Sequence, residues 1–415
     1  MRASRFQRVG WAALLLALLP QTSQAQKLRD RSKPASDPIN CPYTAGDPEL
    51  LAKVGVLSLG GFSFGREEST QALDEFLSPF TANGVRWLET EHFKIGFSLG
   101  TVKVDPRENK KIRAELEEVA LLWPEAEIVT KTRTLDPWMR SYLFALRAEK
   151  LWDEMLALLE VEDADFPAGN TNWDTSSEYM GAGPYLGQKS KYEVLFLPSE
   201  AASRQYLRHY FGLATRLTQR WNILDLDTLH LVIHTQQGDL RKDTALHGHF
   251  VFNMSQQMLN GYKHYSYEIP VWIKEGIGHW MERRVSPRYN TFNSSEGAVA
   301  EMTRKENWEP PTRKLVTKEE FPGMARLVNL RGFSEMKLEH HFTTWSMVDY
   351  LMREKPHFLA TLLGRIKGLL NEDFIPDGSG IADAQRATFR EVLGVSYAQF
   401  DRAWAAWVLD NYGSK

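Results

Sequence analysis

DTALHGHFVFNMSQQM (Asp243 to Met258) and PVWIKEGIGHWMERR (Pro270 to Arg284) are the two stretches on which the reading of this chain turns. Each has the length and composition of a helix, and each sets polar residues at fixed offsets on an otherwise apolar face. Residues four apart on a helix project from the same side. That rule pairs His249 with Asn253, and Glu275 with His279. The aromatic turn Tyr262-Lys263-His264-Tyr265-Ser266-Tyr267 joins the two helices. If the helices pack face to face, the four polar side chains converge.

Outward from this pair, the composition excludes several classes. Arg2, Arg5 and Arg8, the apolar run Trp11 to Leu19 and Ser23-Gln24-Ala25 read as a cleavable export signal over residues 1–25. The apolar run is too short to span a bilayer, and no later stretch is long and apolar enough to do so. The expected mature chain is therefore periplasmic or secreted, with no transmembrane segment. Removing three arginines takes the formal net charge from −3 to −6, which argues against a nucleic-acid partner. Cys41 is the one cysteine and has no intrachain partner, so a packed core must supply the stability. It falls in a Pro- and Asp-rich stretch and reads as a free thiol in a flexible arm, 26–68. The thirteen tryptophans are not interleaved with basic residues and read as packing residues, not a stacking platform.

From residue 69 to 242 the pattern is mixed. Ser69 to Phe80 has helical spacing, and Arg86 to Phe97 alternates as a strand. Pro106 to Trp123 is a charged amphipathic helix, and Asp136-Pro137 caps a long helix reaching Leu159. Asp163 to Lys189 reads as a loop, Tyr192 to Leu197 and Leu229 to Thr235 as buried strands, and Ser199 to Trp221 as a helix. From 243 to 415 the pattern is helical, closing with a capping box at Ser396 and Gln399. The expected class is α+β: a small N-terminal sheet with helices, then a mostly helical half.

The helix pair suggests a chemistry. A zinc peptidase of the H-E-x-x-H kind sets two metal-binding histidines one turn apart, with a glutamate between them to activate the bound water. Pro270 to His279, with Trp272, Glu275 and Gly276, resembles the W-x-x-E-G helix of gluzincin peptidases, whose glutamate is the third zinc ligand. TTWSMVDYLMREKPHFLATLLGRIKG (Thr343 to Gly368) and FREVLGVSYAQFDRAWAAWV (Phe389 to Val408) are similar to the ending of the peptidase-MA-like family of exported bacterial proteins. RWLETEHFKI (Arg86 to Ile95) is similar to its first strand. The resemblance implies a gluzincin-like metallopeptidase fold, with zinc at His249, Asn253 and Glu275.

It also implies that the chemistry is degenerate. Phe250 stands at the catalytic glutamate position and Asn253 at that of the second histidine. Losing a general base costs ~10²–10⁴-fold in rate. An amide oxygen suits zinc less well than an imidazole nitrogen. Two other histidines offer themselves as replacement ligands. His247 lies about 200° around the helix from His249 and would have to be brought round. His279 is one turn beyond Glu275, either as a ligand or as a second-shell partner.

Plainer readings compete. A lone histidine on an apolar helix is more often a hydrogen-bonded core residue than a ligand. A buried Glu275 needs a partner, which Arg283, Arg284 or His279 could supply without any metal. His340-His341, adjacent and pointing apart, reads as incidental. The expected function is that of a pseudopeptidase: an exported metallopeptidase-like protein without ordinary proteolysis, whose cleft binds a peptide, polymer or protein partner. The alternatives are a zinc-dependent hydrolase with a rearranged ligand set, and a structural envelope-associated protein.

Overall fold

The protein is described here by a computed structural model covering residues 32–169, 173–292 and 302–414. The export signal expected over residues 1–25 lies outside the described residues. The chain is a mixed α/β protein, about half helical. Among the described residues every strand falls before residue 235, and the elements that follow are helices.

The N-terminal part contains α1 (Pro48–Ala52), α2 (Thr70–Leu77), β1 (Arg86–Glu89), β2 (Phe93–Phe97), β3 (Val102–Lys103), α3 (Asn109–Leu122), β4 (Thr134–Leu135) and α4 (Pro137–Leu159). It continues with β5 (Tyr192–Leu197), α5 (Glu200–Phe211), β6 (Gln219–Ile223) and β7 (Thr228–His234). The helical part consists of α6 (Asp243–Gly261), α7 (Val271–Val285), α8 (Glu309–Thr317), α9 (Met324–Leu327) and α10 (Leu338–Glu354). It ends with α11 (His357–Lys367), α12 (Ile381–Val392) and α13 (Tyr397–Asn411).

Five strands form one mixed sheet in the order β1-β2-β5-β7-β6, with β2, β5 and β7 parallel and the two outer strands antiparallel to their neighbours. β5 and β7 are buried along their whole length, which is why they read as continuous apolar runs. One hydrophobic cluster runs from Cys41 to Tyr412, through α4, the sheet, α6, α7 and α10.

Three readings need correction. The single strand 86–97 is a hairpin, because the backbone N–H of Thr90 bonds the Phe93 carbonyl and its side chain accepts from the Phe93 N–H. The helix 199–221 stops at Gly212, which takes φ +66° and closes the last turn of α5. After a short connection the chain forms edge strand β6, so Trp221 is a strand residue. The described part of the 26–68 segment is no loose arm: Leu51, Val54, Val56 and Phe64 are buried, and Cys41, 3% exposed, sits 3.2 Å from the Tyr142 hydroxyl. Pro and Asp there serve as caps, with Asp37 and Asp47 each accepting backbone N–H bonds at the start of a short helix. Among the described residues no helix is long and apolar enough to cross a membrane.

Candidate functional site

α6 is buried along its whole length and has two different faces. Its start is fixed by charge. Asp243 accepts from Arg140 Nε at 3.2 Å and Arg147 Nη1 at 2.8 Å, and Arg147 also reaches Glu115. Burial raises the Asp243 carboxyl, but Arg147 and Arg140 outweigh it and hold the group below its ordinary value. A carboxylate at a helix N-terminus is also favoured by the helix dipole.

The apolar face of α6 carries Phe250, whose ring packs 6.2 Å from Phe144 on α4 and 5.9 Å from Phe196 on β5. His247 turns toward α3 and α4, with Nδ1 3.9 Å from Glu115. The 200° offset expected for His247 therefore holds, and it takes no part in the cluster around Glu275.

The polar face meets β6 and α7. Gln257 donates to the carbonyls of Trp221 and His230. His249 is held at both ring nitrogens, Nε2 lying 2.7 Å from Thr218 Oγ1 and Nδ1 3.2 Å from Thr291 Oγ1. Burial, with help from the Arg220 charge, pushes its pKa down to about 3. Asn253 donates back to the His249 carbonyl, and its Oδ1 accepts from Arg220 Nη1 at 2.5 Å. Arg220 Nη2 reaches Gln256 Oε1 at 2.5 Å, and Gln256 Nε2 donates to Glu275 Oε1 at 3.0 Å. The His249, Asn253 and Glu275 expected to share one ion are thus engaged separately: by threonine hydroxyls, by a guanidinium and by a glutamine amide. As a ligand set these three do not fit a metal.

α7 crosses between α6 and α10, and two glycines allow it. A Cβ on Gly276 would lie 2.8 Å from the Thr344 carbonyl oxygen, and one on Gly278 would lie 2.7 Å from Gln256 Nε2. The close approach brings Glu275 and His279 against His341 in the first turn of α10. His279 Nε2 is 3.0 Å from His341 Nδ1, and Glu275 Oε2 is 3.6 Å from each of those nitrogens. All three side chains are fully buried, and one donor atom from each lies within 4.8 Å of the others. A buried Glu/His/His group within metal-binding distance is therefore present.

The surroundings orient that group. His279 Nδ1 is 2.7 Å from Glu282 Oε1, and both Glu282 oxygens accept the Thr291 backbone N–H. Phe252, Phe292 and Trp308 rings stand 4.9–5.3 Å from the His279 ring and wall the group from water. Burial raises the Glu275 carboxyl to about 7, against the pull of Arg220, Gln256 and Lys274. Burial also keeps both imidazoles neutral, lowering His341 to about 3 and His279 well below its ordinary value.

His341, Arg220 and Glu282 are the residues that the sequence reading missed. His340-His341 is not an incidental pair. His340 Nδ1 accepts the Lys337 N–H and caps α10, which leaves His341 pointing at α7. Trp272 to His279 does form one helix, with Glu275 and His279 on one face as expected. No known protein-family model matches the chain, and no curated protein is similar to it.

Proposed function

We propose that this chain is an exported, metallopeptidase-like protein of gluzincin-like architecture that does not hydrolyse peptides and binds a peptide or partner segment along the sheet edge at β6. The observation that carries this reading is Arg220. Its guanidinium donates to Asn253 and Gln256 on the helix face where such a peptidase would hold its ion, and its charge acts on His249 and Glu275. A fixed internal cation satisfies the Asn253 and Gln256 side-chain oxygens on that helix face. Phe250, packed on Phe144 and Phe196, supplies no base. The sheet edge offers the surface for such binding: β6 is an outer strand with part-exposed residues, and Phe333 lies 5.7 Å from the Arg220 charge.

The test is a hydrolysis assay on the purified protein with denatured protein and mixed-peptide substrates, zinc added or chelated. No turnover is the expected result in either condition. Zinc-dependent cleavage that disappears in Glu275→Ala would defeat the reading. It would favour the second one, a zinc-dependent hydrolase with a rearranged ligand set, for which the convergence of Glu275, His279 and His341 is the supporting observation.

A further inference from the structure

The geometry points to a buried site for a first-row divalent transition ion, zinc being the first to try, made by Glu275 Oε2, His279 Nε2 and His341 Nδ1, with Glu282 as a positioning residue. Of the ligands implied by the resemblance it keeps only Glu275, and it takes its third ligand from α10. It goes beyond the binding reading above and stands whether or not the protein cleaves anything.

Three observations support it. The first is the spacing of the donors. Sides of 3.0, 3.6 and 3.6 Å define a triangle whose centre lies about 2.0 Å from every corner, and zinc binds imidazole nitrogen and carboxylate oxygen at roughly 2.0–2.2 Å. Two imidazoles and one carboxylate also suit the preferences of zinc and its first-row neighbours.

The second is the state of Glu275. Its Oε1 accepts from Gln256, but its Oε2 accepts no hydrogen bond among the described residues, although the side chain is fully buried. The nearest nitrogens, at 3.6 Å, are beyond hydrogen-bond reach. A buried carboxylate oxygen left without a partner is costly. A cation at the centre of the triangle supplies that partner.

The third is the support behind His279. Its Nδ1 lies 2.7 Å from Glu282 Oε1, and with the ring proton held there the Nε2 lone pair faces His341 and Glu275. Glu282 is itself held in both oxygens by the Thr291 backbone. A carboxylate behind a ligand histidine is the usual outer arrangement of a metal site. Such an ion would tie α7 to α10, so its binding energy would appear as folding energy.

The alternative without metal is a hydrogen-bonded cluster of buried groups, His279 to His341 and Glu282, and Glu275 to Gln256. The two separate on full-length protein purified without a metal-affinity column. The expected findings are about one ion per chain by elemental analysis, a melting temperature lowered by chelation and restored by zinc, and visible d–d absorption after cobalt substitution. X-ray absorption of the zinc form should show imidazole scattering at roughly 2.0–2.1 Å. Glu282→Gln should weaken zinc ~10–100-fold while retaining the fold by circular dichroism. His247→Ala, outside the cluster, should leave zinc affinity unchanged. If folded wild-type protein neither carries nor takes up zinc or cobalt, the site is a hydrogen-bonded cluster only and the proposal falls. It also falls if Glu282→Gln binds zinc as tightly as wild type, or if His247→Ala weakens zinc as much as Glu282→Gln does. Peptide cleavage, the outcome that sinks the binding reading, is read in a separate assay.

Discussion

Arg220 on β6 and Asn253 on α6 are 33 positions apart in sequence, and the guanidinium meets the Asn253 amide oxygen at 2.5 Å. With the second bond to Gln256 Oε1, one side chain clamps the edge strand to the buried helix. Through Gln256 the clamp extends to Glu275 on α7. The side-chain oxygens of Asn253 and Gln256 are thereby satisfied within the protein.

Replacing Arg220 by Leu should therefore destabilise the protein by more than a surface substitution would. It leaves the oxygens of Asn253 and Gln256 without their donor, at ~1–3 kcal/mol each when buried. Urea unfolding should show a lower midpoint with an unchanged slope, the sign of lost stability with two-state behaviour kept. A midpoint equal to wild type would mean that the clamp carries no net energy.

Gly276 marks the tightest approach of α7 to α10. In Gly276→Ala the new methyl would meet the Thr344 carbonyl oxygen and Val348 Cγ2, both at 2.8 Å. Overpacking of this kind costs ~1–3 kcal/mol, outweighing the helix propensity that alanine gains. The helices must part, and His341 should move away from Glu275 and His279. Zinc affinity and melting temperature should fall together. Gly364→Ala on α11, with no atom within 4 Å of the new methyl, is the matched control.

How much of this was legible in the sequence depends on the range of the interaction. Asp136 accepts the N–H groups of Trp138 and Met139 and starts α4 where the Asp-Pro pair says it should. The capping box of Ser396 and Gln399 starts α13 in the same way. Glu275 and His279 share a face because helical spacing is local. The hairpin turn, by contrast, is the polar run Thr90-Glu91-His92, with no glycine, proline or asparagine to mark it, so its two strands read as one. β6 is an amphipathic stretch that only its pairing with β7 makes a strand. His341 reaches Glu275 from 66 positions away, through a helix packing that Gly276 permits but does not announce. Long-range packing assembled the cluster, and no local pattern encodes it.

Asp243, Arg140 and Arg147 form a buried charge cluster with Glu115 at the start of α6. Arg147→Met removes one cation and leaves two carboxylates facing each other across its place. Breaking a buried pair from one side costs ~3–5 kcal/mol. The loss should be smaller in the double variant Arg147→Met/Asp243→Asn, in which the stranded charge is also removed. Equal losses in the single and double variants would place the cost in packing, not in charge.

Acid stability gives the last prediction, at a distance from the Glu275 cluster. His264, in the turn joining α6 and α7, accepts the Ser266 N–H at Nδ1 and donates from Nε2 to the Lys367 carbonyl. That pattern requires the neutral ring. Burial, aided by the Lys367 charge, lowers its pKa to about 3, against an ordinary value of 6.5. Above pH 6.5 the ring is neutral in both folded and unfolded chains and contributes no pH dependence. Below it the unfolded chain binds a proton that the folded chain refuses. Stability must then fall as pH drops from 6.5 toward 3, by up to ~1.4 kcal/mol per pH unit from this one group. His264→Gln keeps an amide donor and acceptor but cannot titrate, and the other histidines remain in both proteins. Unfolding free energies measured from pH 7.5 to 4.5 with chelator present should decline more steeply for wild type than for His264→Gln. Parallel curves would show that His264 is protonated in the folded protein and that its buried hydrogen bonds do not exclude the charge.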